Sequence, residues 1–438
     1  MKMKKHAKKV MLFILTVAMT LSFSIGAFAK EAKVKETSYQ TVTEIHDWGA
    51  AITKVIVDIG KPLTQYSVTK DTFKVHVSRS DDRLSNPLLE KGYRTVTNAY
   101  VADKNGEPTV RGKYVVLEME IGPNISFGSA LNYYGGANVW IDSEYTITQV
   151  QDIVLNSGTI SGLVVNKFAG ETRELVDDFS TGKATDDGVT LTYADYAPKK
   201  DKEKNPLIIW LHGGGEGGTD ATIPLSANKA VNFITDDIQS YFDGAYVLAP
   251  QTPTRWMDGY LTGGADGTSK YEEALMALIK DYVANNPDID PNRIYIGGAS
   301  NGGYMTMLMI RDYPGYFAAA FPVCEGLRDS LVTNADIQNI GKTPIWFVTA
   351  KNDKTLLPEI NTLPTYDRLI EAGAQDVQLT LLDDVHDTTG LYKNADGTPY
   401  QYNGHWSWIY VYNNEVESTI NGKTTTIMEW MASKSLNK

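Results

Sequence analysis

The spacing of apolar residues changes once along this chain, and the change limits the folds open to it. Between about residues 35 and 160, apolar and polar side chains alternate in short runs. Phe73, Val75 and Val77 interleave with Lys74, His76 and Ser78, and Val115, Leu117, Met119 and Ile121 repeat the pattern. A period of two belongs to half-buried strands, and Asn105-Gly106 between two such runs is a hairpin signal. From about residue 165 onward, continuous apolar runs take turns with stretches of helical spacing. Residues 207–211, 245–249, 294–296, 318–323, 344–349 and 377–382 read as buried strands, and 271–284, 365–372 and 425–432 as helices. Strands alternating with helices call for a mainly parallel, doubly wound sheet. The expected chain is therefore α/β, with an all-β immunoglobulin-like sandwich over 30–160 and the α/β domain over 161–438. A charged linker, Lys199 to Lys204, interrupts the second part.

The first residues carry a different signal. Lysines at 2, 4, 5, 8 and 9 precede an apolar run from Val10 to Ile25 that ends in Ala27-Phe28-Ala29. Basic, apolar and small-residue segments in that order describe a secretory signal peptide, so residues 1–29 are expected to be cleaved after Ala29 and the protein secreted. A membrane anchor is the competing reading, but the run is short and broken by Thr16, Thr20, Ser22 and Ser24. No stable membrane insertion is expected after cleavage. Losing the five lysines takes the net charge from −12 to about −17, which works against nucleic acid and anionic surfaces as partners. The single cysteine, Cys324, excludes an internal disulfide and reads as a buried, inert thiol.

Chemistry enters at Gly298-Ala299-Ser300-Asn301-Gly302. A five-residue pattern is weak alone, and a structural glycine turn would also explain it. Here a strand precedes it and a helix follows, the context in which flanking glycines permit a sharp turn that lifts a serine hydroxyl above a sheet. His212-Gly213-Gly214-Gly215 closes an earlier strand, 88 residues before Ser300. Its glycines suit an oxyanion loop, with donors from the backbone of Gly214, Gly215 and Asn301. A phosphate loop is the alternative, but no Gly-Lys-Ser/Thr ending follows. His212 is read as a brace for this loop.

In this arrangement the acid and then the histidine follow the serine. Asp353, just past the strand at 344–349, is the expected acid, against the reading of a solvated loop aspartate. Only His386 and His405 of the six histidines lie beyond Ser300. Spacing alone favours His386, which is 33 residues past Asp353; His405 is 52 past it, behind a segment, Asn394 to Pro399, that reads as a protruding hairpin. Gly404 before the imidazole and aromatics after it favour His405. No metal or cofactor site is evident: His46 and His76 are isolated, and Asp236-Asp237 and Asp383-Asp384 lack ligand spacing.

These motifs resemble bacterial secreted esterases with an immunoglobulin-like N-terminal domain, related to prolyl oligopeptidase-type hydrolases and polyhydroxybutyrate depolymerase-like esterases. The resemblance rests on Leu211-His212-Gly213-Gly214-Gly215-Glu216, Ala249-Pro250-Gln251, Ala299-Ser300-Asn301-Gly302-Gly303-Tyr304-Met305 and Gly404-His405-Trp406-Ser407-Trp408, with Trp48 to Lys54 near the start. It implies an α/β-hydrolase fold and carboxylic ester hydrolysis through an acyl-enzyme. Ser300 would attack, His405 move the proton and Asp353 orient the histidine, and the aromatic run after His405 supports it over His386.

The leading expectation is hydrolysis of short to medium acyl esters, small or polymeric, with Trp256, Tyr260 and Trp406 as pocket candidates. A prolyl oligopeptidase-type peptidase is the alternative, disfavoured because no propeller repeat is seen. A polymer- or glycan-binding protein with a secondary esterase domain is another, with Tyr133, Tyr134 and Trp140 as stacking candidates. The oligomeric state is left open, a homo-oligomer included.

Overall fold

A computed structural model describes residues 37–436, apart from 201 and 263. The signal segment expected over 1–29 lies outside the described residues. No helix among the described residues is long and apolar enough to cross a membrane.

Eight strands form the larger sheet: β1 Ser180–Asp186, β2 Val189–Tyr196, β3 Asn205–Leu211, β4 Tyr246–Gln251, β5 Ile289–Ala299, β6 Ala319–Val323, β7 Ile345–Ala350 and β8 Val377–Leu382. They are ordered β1-β2-β4-β3-β5-β6-β7-β8. Pairing is antiparallel between β1 and β2 and between β2 and β4, and parallel across the rest. The continuous apolar runs have a simple cause. In β3, Leu207, Ile209 and Leu211 enter the core on one face while Ile208 and Trp210 enter the core on the other. A strand covered on both faces has no position left for a polar side chain.

On one face pack the helices α1, Glu272–Asn285, and α2, Asn301–Asp312. α1 turns Ala274, Leu275, Leu278 and Tyr282 inward, the side marked by their helical spacing. The short helix Trp408–Tyr412 and the C-terminal helix Ile427–Ala432 cover the other face.

Residues before this sheet form two smaller ones. The first orders Phe168–Arg173, Ser38–His46, Gly49–Thr64, Arg111–Met119 and Val96–Ala102. The second orders Val164–Val165, Asp142–Gln149, Phe73–Ser80 and Leu88–Arg94. Phe73, Val75 and Val77 are buried while Lys74 is exposed, as alternation requires. Between them they enclose one core, which also admits Ile223 from the α/β portion. Trp140 Nε1 donates to Thr222 Oγ1 at 2.8 Å, and Lys229 Nζ pairs with Asp47 at 2.8 Å. These contacts seat the sandwich over the carboxyl ends of β3 and β4, where the site is built.

The junction of β5, Ser300 and α2 is packed backbone to backbone. A Cβ on Gly302 would lie 1.9 Å from the Leu211 carbonyl oxygen, and one on Gly298 would lie 2.6 Å from it. Both are contacts that no side chain tolerates, so the helix can start this close to β3 only with glycine. Gly302→Ala is expected to cost about 3 kcal/mol or more of stability through this overpacking. A urea melt checks it; an unchanged midpoint would contradict the constraint.

Candidate active site

Ser300 is held at φ 58 and ψ −110, outside the ordinary regions for a residue with a Cβ. Its N–H donates to Val323 O at 2.9 Å, and its carbonyl accepts from Tyr304 N at 2.9 Å as α2 begins. The strain is therefore locked by β6 on one side and the helix on the other, a pattern associated with functional positions. The side chain is left half-exposed at the floor of a cleft of about 810 Å³.

Asp353 and His405 are bonded to each other, and His405 lines the same cleft. Asp353 is buried; its Oδ1 accepts from Thr355 N at 2.8 Å and Leu356 N at 3.0 Å, and its Oδ2 from His405 Nδ1 at 2.7 Å. That last bond places the ring proton on Nδ1 and leaves Nε2 as the basic nitrogen. Asn403 caps the turn Gly404–Trp406 by accepting from His405 N at 3.0 Å. A Cβ on Gly404 would lie 2.2 Å from Asn352 Oδ1, so glycine is what admits this turn beside Asp353. Burial works against the His405 imidazolium, but Cys324 and Asp353 outweigh it and raise its pKa above the ordinary imidazole value.

His386 goes elsewhere. It lies half-buried with Nδ1 2.6 Å from Asp384 Oδ1, and its segment pairs with Gln401. The hairpin expected around Asn394 to Pro399 is present, with Asn394 N donating to Thr398 O and Lys393 bridging Pro399. It carries the chain out and back before Gly404.

Cys324 is buried, and its sulfur, an Asp353 oxygen and a His405 nitrogen all lie within 4.8 Å of one another. Among the described residues this is the group of donors compact enough to consider for a metal. Asp353 and His405 already share a proton, so an ion there would have to replace their bond.

The glycine loop is rigidly braced. His212 Nδ1 donates to Gly213 O at 2.7 Å while Nε2 accepts from Thr252 N at 3.1 Å. An imidazole that accepts an N–H must be neutral, and burial pushes its pKa down to about 4. Trp256 is entirely buried, its Nε1 donating to His212 O at 3.1 Å and its N–H to Asn301 Oδ1 at 2.6 Å. It is a strut beneath the site rather than a wall of the pocket, whereas Tyr260 and Trp406 do line the cleft. Gly214, Gly215 and Asn301 line the same cleft as Ser300 and His405.

Sequence reasoning missed Asn138. It stands on a hairpin of the sandwich, Leu131–Tyr134 paired with Ala137–Trp140, whose Gly135-Gly136 tip has positive φ. Asn138 N donates to Gly215 O at 2.7 Å and Nδ2 to Glu216 Oε1 at 3.0 Å. A Cβ on Gly215 would lie 3.0 Å from the Tyr133 ring. The hairpin thus clamps the glycine loop from the side opposite its own strand. Glu216 is buried, and that burial pushes its carboxyl up to about 7. The Gly-Gly turn between aromatic runs could have signalled a hairpin, but nothing local says where it docks. Of the three stacking candidates, Tyr133 faces the cleft, Tyr134 is exposed, and Trp140 is half-buried against Thr222 with Arg173 over its ring.

Comparison with known proteins agrees with this architecture. Residues 38–162 match the esterase Ig-like N-terminal domain, and residues 265–329 match the prolyl oligopeptidase family. The chain is 45% identical over 130 residues to a poly(3-hydroxyalkanoate) depolymerase C of Paucimonas lemoignei, covering 28% of each. It is 29% identical over 126 residues to a poly(3-hydroxybutyrate) depolymerase of Ralstonia pickettii, covering 28% of this chain and 25% of that one. The chain thus spans about a quarter of the length of these curated relatives. A solved thermostable esterase superposes with a TM-score of 0.74 at 26% identity, over 91% of this chain and 99% of that one. With its strand order and this superposition, the chain has the α/β-hydrolase fold, preceded by a sandwich that matches the esterase Ig-like N-terminal domain.

Proposed function

We propose that this chain is an exported serine hydrolase that cleaves carboxylic esters through an acyl-enzyme on Ser300. One observation carries the reading. A buried Asp353–His405 pair, bonded at 2.7 Å, opens onto the same cleft as a serine held in strained backbone geometry. Ser300 Oγ attacks the ester carbonyl carbon and gives its proton to His405 Nε2, while Asp353 keeps the ring in the required tautomer and stabilises the imidazolium. The developing negative oxygen faces the N–H groups of Gly214, Gly215 and Asn301, each such donor contributing about 3 to 4 kcal/mol. His405 then protonates the departing alcohol, and water repeats the sequence on the acyl group.

A cleft of about 810 Å³ suits short to medium acyl groups, and its open side admits the end of a polymer. The depolymerase and esterase names of the relatives support esters as the substrate class. The match of residues 265–329 to the prolyl oligopeptidase family favours peptide amides as the second reading. Rates on an ester and an amide of the same acyl group separate the two, and a faster amide would reverse the order.

Ser300→Ala should lower kcat/KM on p-nitrophenyl butyrate by at least about a thousandfold with the fold intact by circular dichroism. Full retention of activity would remove the proposal. His405 acts as a base only when neutral, and its pKa is raised, so activity should fall as pH drops through a limb above the ordinary imidazole value of 6.5. Cys324→Ala should move that limb down, and a limb at or below the ordinary value in the unaltered enzyme would contradict the assignment. Asn138→Ala keeps the backbone bond to Gly215 O but removes the Nδ2 bond to Glu216 Oε1, so it should loosen the loop at Glu216 and lower kcat by about tenfold, with KM little changed, because the loop acts on the transition state. Steady-state kinetics checks this; an altered KM with unchanged kcat would place Asn138 in substrate binding instead.

A further inference from the structure

Two guanidinium groups line the catalytic cleft without a carboxylate of their own. Arg255 follows β4, and its guanidinium lies 3.8 Å from the centroid of the Tyr260 ring. It stands so close over the glycine loop that a Cβ on Gly214 would lie 2.6 Å from Nη1. Glycine at 214 therefore makes room for a cation as well as for a donor. Arg328 follows β6, two residues past Gly326, whose added Cβ would lie 3.6 Å from the Ser300 carbonyl oxygen. It is exposed on the cleft wall.

The acids around them are already engaged. Asp329, next to Arg328, pairs with Arg368 at 2.6 Å, and Asp47 pairs with Lys229 at 2.8 Å. Asp258, three residues from Arg255, accepts from Lys270 N at 2.6 Å. Glu216 is held by Asn138 at 3.0 Å; burial raises its carboxyl, while Asn138 and the Arg255 charge oppose that rise. Among the described residues, neither Arg255 nor Arg328 makes a salt bridge within 4.0 Å, although the Arg255 charge is felt by the Glu216 carboxyl.

A guanidinium stacked on a ring, as Arg255 is on Tyr260, presents an N–H fork that matches a carboxylate through two parallel hydrogen bonds. A neutral ester offers it only a carbonyl oxygen, without the charge or the paired acceptors of a carboxylate. Met257, Leu356, Trp406 and Trp408 give the same lining an apolar part suited to hydrocarbon. The protein as a whole is acidic, so the two cations mark a local exception to its field.

We propose that Arg255 and Arg328 form a carboxylate-binding subsite, and that the preferred substrates are esters bearing a free carboxylate beyond the scissile bond. The proposal rests on the reading of Ser300 as the nucleophile. The carboxylate enters on either the acyl or the alcohol side, and two pairs of substrates tell these apart. On the acyl side, mono-p-nitrophenyl adipate is compared with p-nitrophenyl hexanoate. On the alcohol side, the butyryl ester of β-hydroxypropionate is compared with butyl butyrate.

In one of the pairs kcat/KM should favour the carboxylate ester by about tenfold or more, and the preference should shrink as ionic strength rises. Arg328→Gln, at an exposed position, and Arg255→Gln should each reduce that ratio several-fold, and the double variant should abolish it. Equal rates within both pairs, or a ratio untouched by the double variant, would overturn the proposal. If both substrate classes are cleaved equally yet Ser300→Ala abolishes cleavage, the subsite alone fails. If Ser300→Ala still cleaves both, the nucleophile reading fails with it.

Discussion

A buried carboxylate must find donors for its lone pairs, and Asp353 finds three. Two are backbone N–H groups of the turn it begins, and the third is the His405 ring. The first two bonds fix the carboxylate relative to β7, so the third fixes the imidazole relative to the sheet. Everything that brings His405 there serves this bond: the excursion through the 393–399 hairpin, the Asn403 cap and the glycine at 404. Severing it would leave a charge buried without its partner, which costs about 3 to 5 kcal/mol in comparable pairs. The geometry on the serine side is set independently, by glycines that let α2 start against the Leu211 carbonyl. The two halves meet at one cleft, which Ser300 and His405 both line.

The sandwich belongs to this arrangement. Its hairpin reaches the glycine loop through Asn138 and Tyr133, and Trp48, Leu131 and Tyr133 line the cleft. A loop rich in glycine has more backbone freedom than other sequences, and freedom is a disadvantage where donors must be aimed. His212 and Trp256 brace it from below, and Asn138 braces it from the side.

How much of this was legible in the sequence depended on how local its cause was. β3 to β8 could be read because strands packed into the core are rich in apolar residues, and α1 because its buried side recurs at helical spacing. The β1–β2 hairpin could not, since β1 reads Ser-Thr-Gly-Lys-Ala-Thr-Asp and is largely exposed, which leaves no apolar period. Phe168–Arg173 is similarly exposed, and only its parallel pairing with Ser38–His46 identifies it as a strand. Ser300 stood out because the strained turn demands glycines close by in sequence. Spacing pointed to His386 and the aromatic context to His405; the hairpin between them decides which ring reaches Asp353. Asn138, Arg255 and Arg328 carry no local mark, because their neighbours in space are far away in sequence.

The central claim is that Ser300 is a nucleophile activated through His405 and Asp353. A fluorophosphonate probe followed by peptide mapping tests it directly, since the probe bonds only to a serine whose hydroxyl is being deprotonated. The account predicts one phosphonylated peptide, carrying the adduct on Ser300, and loss of labelling in His405→Ala. An adduct on another residue, or none at all while ester hydrolysis continues, would contradict it.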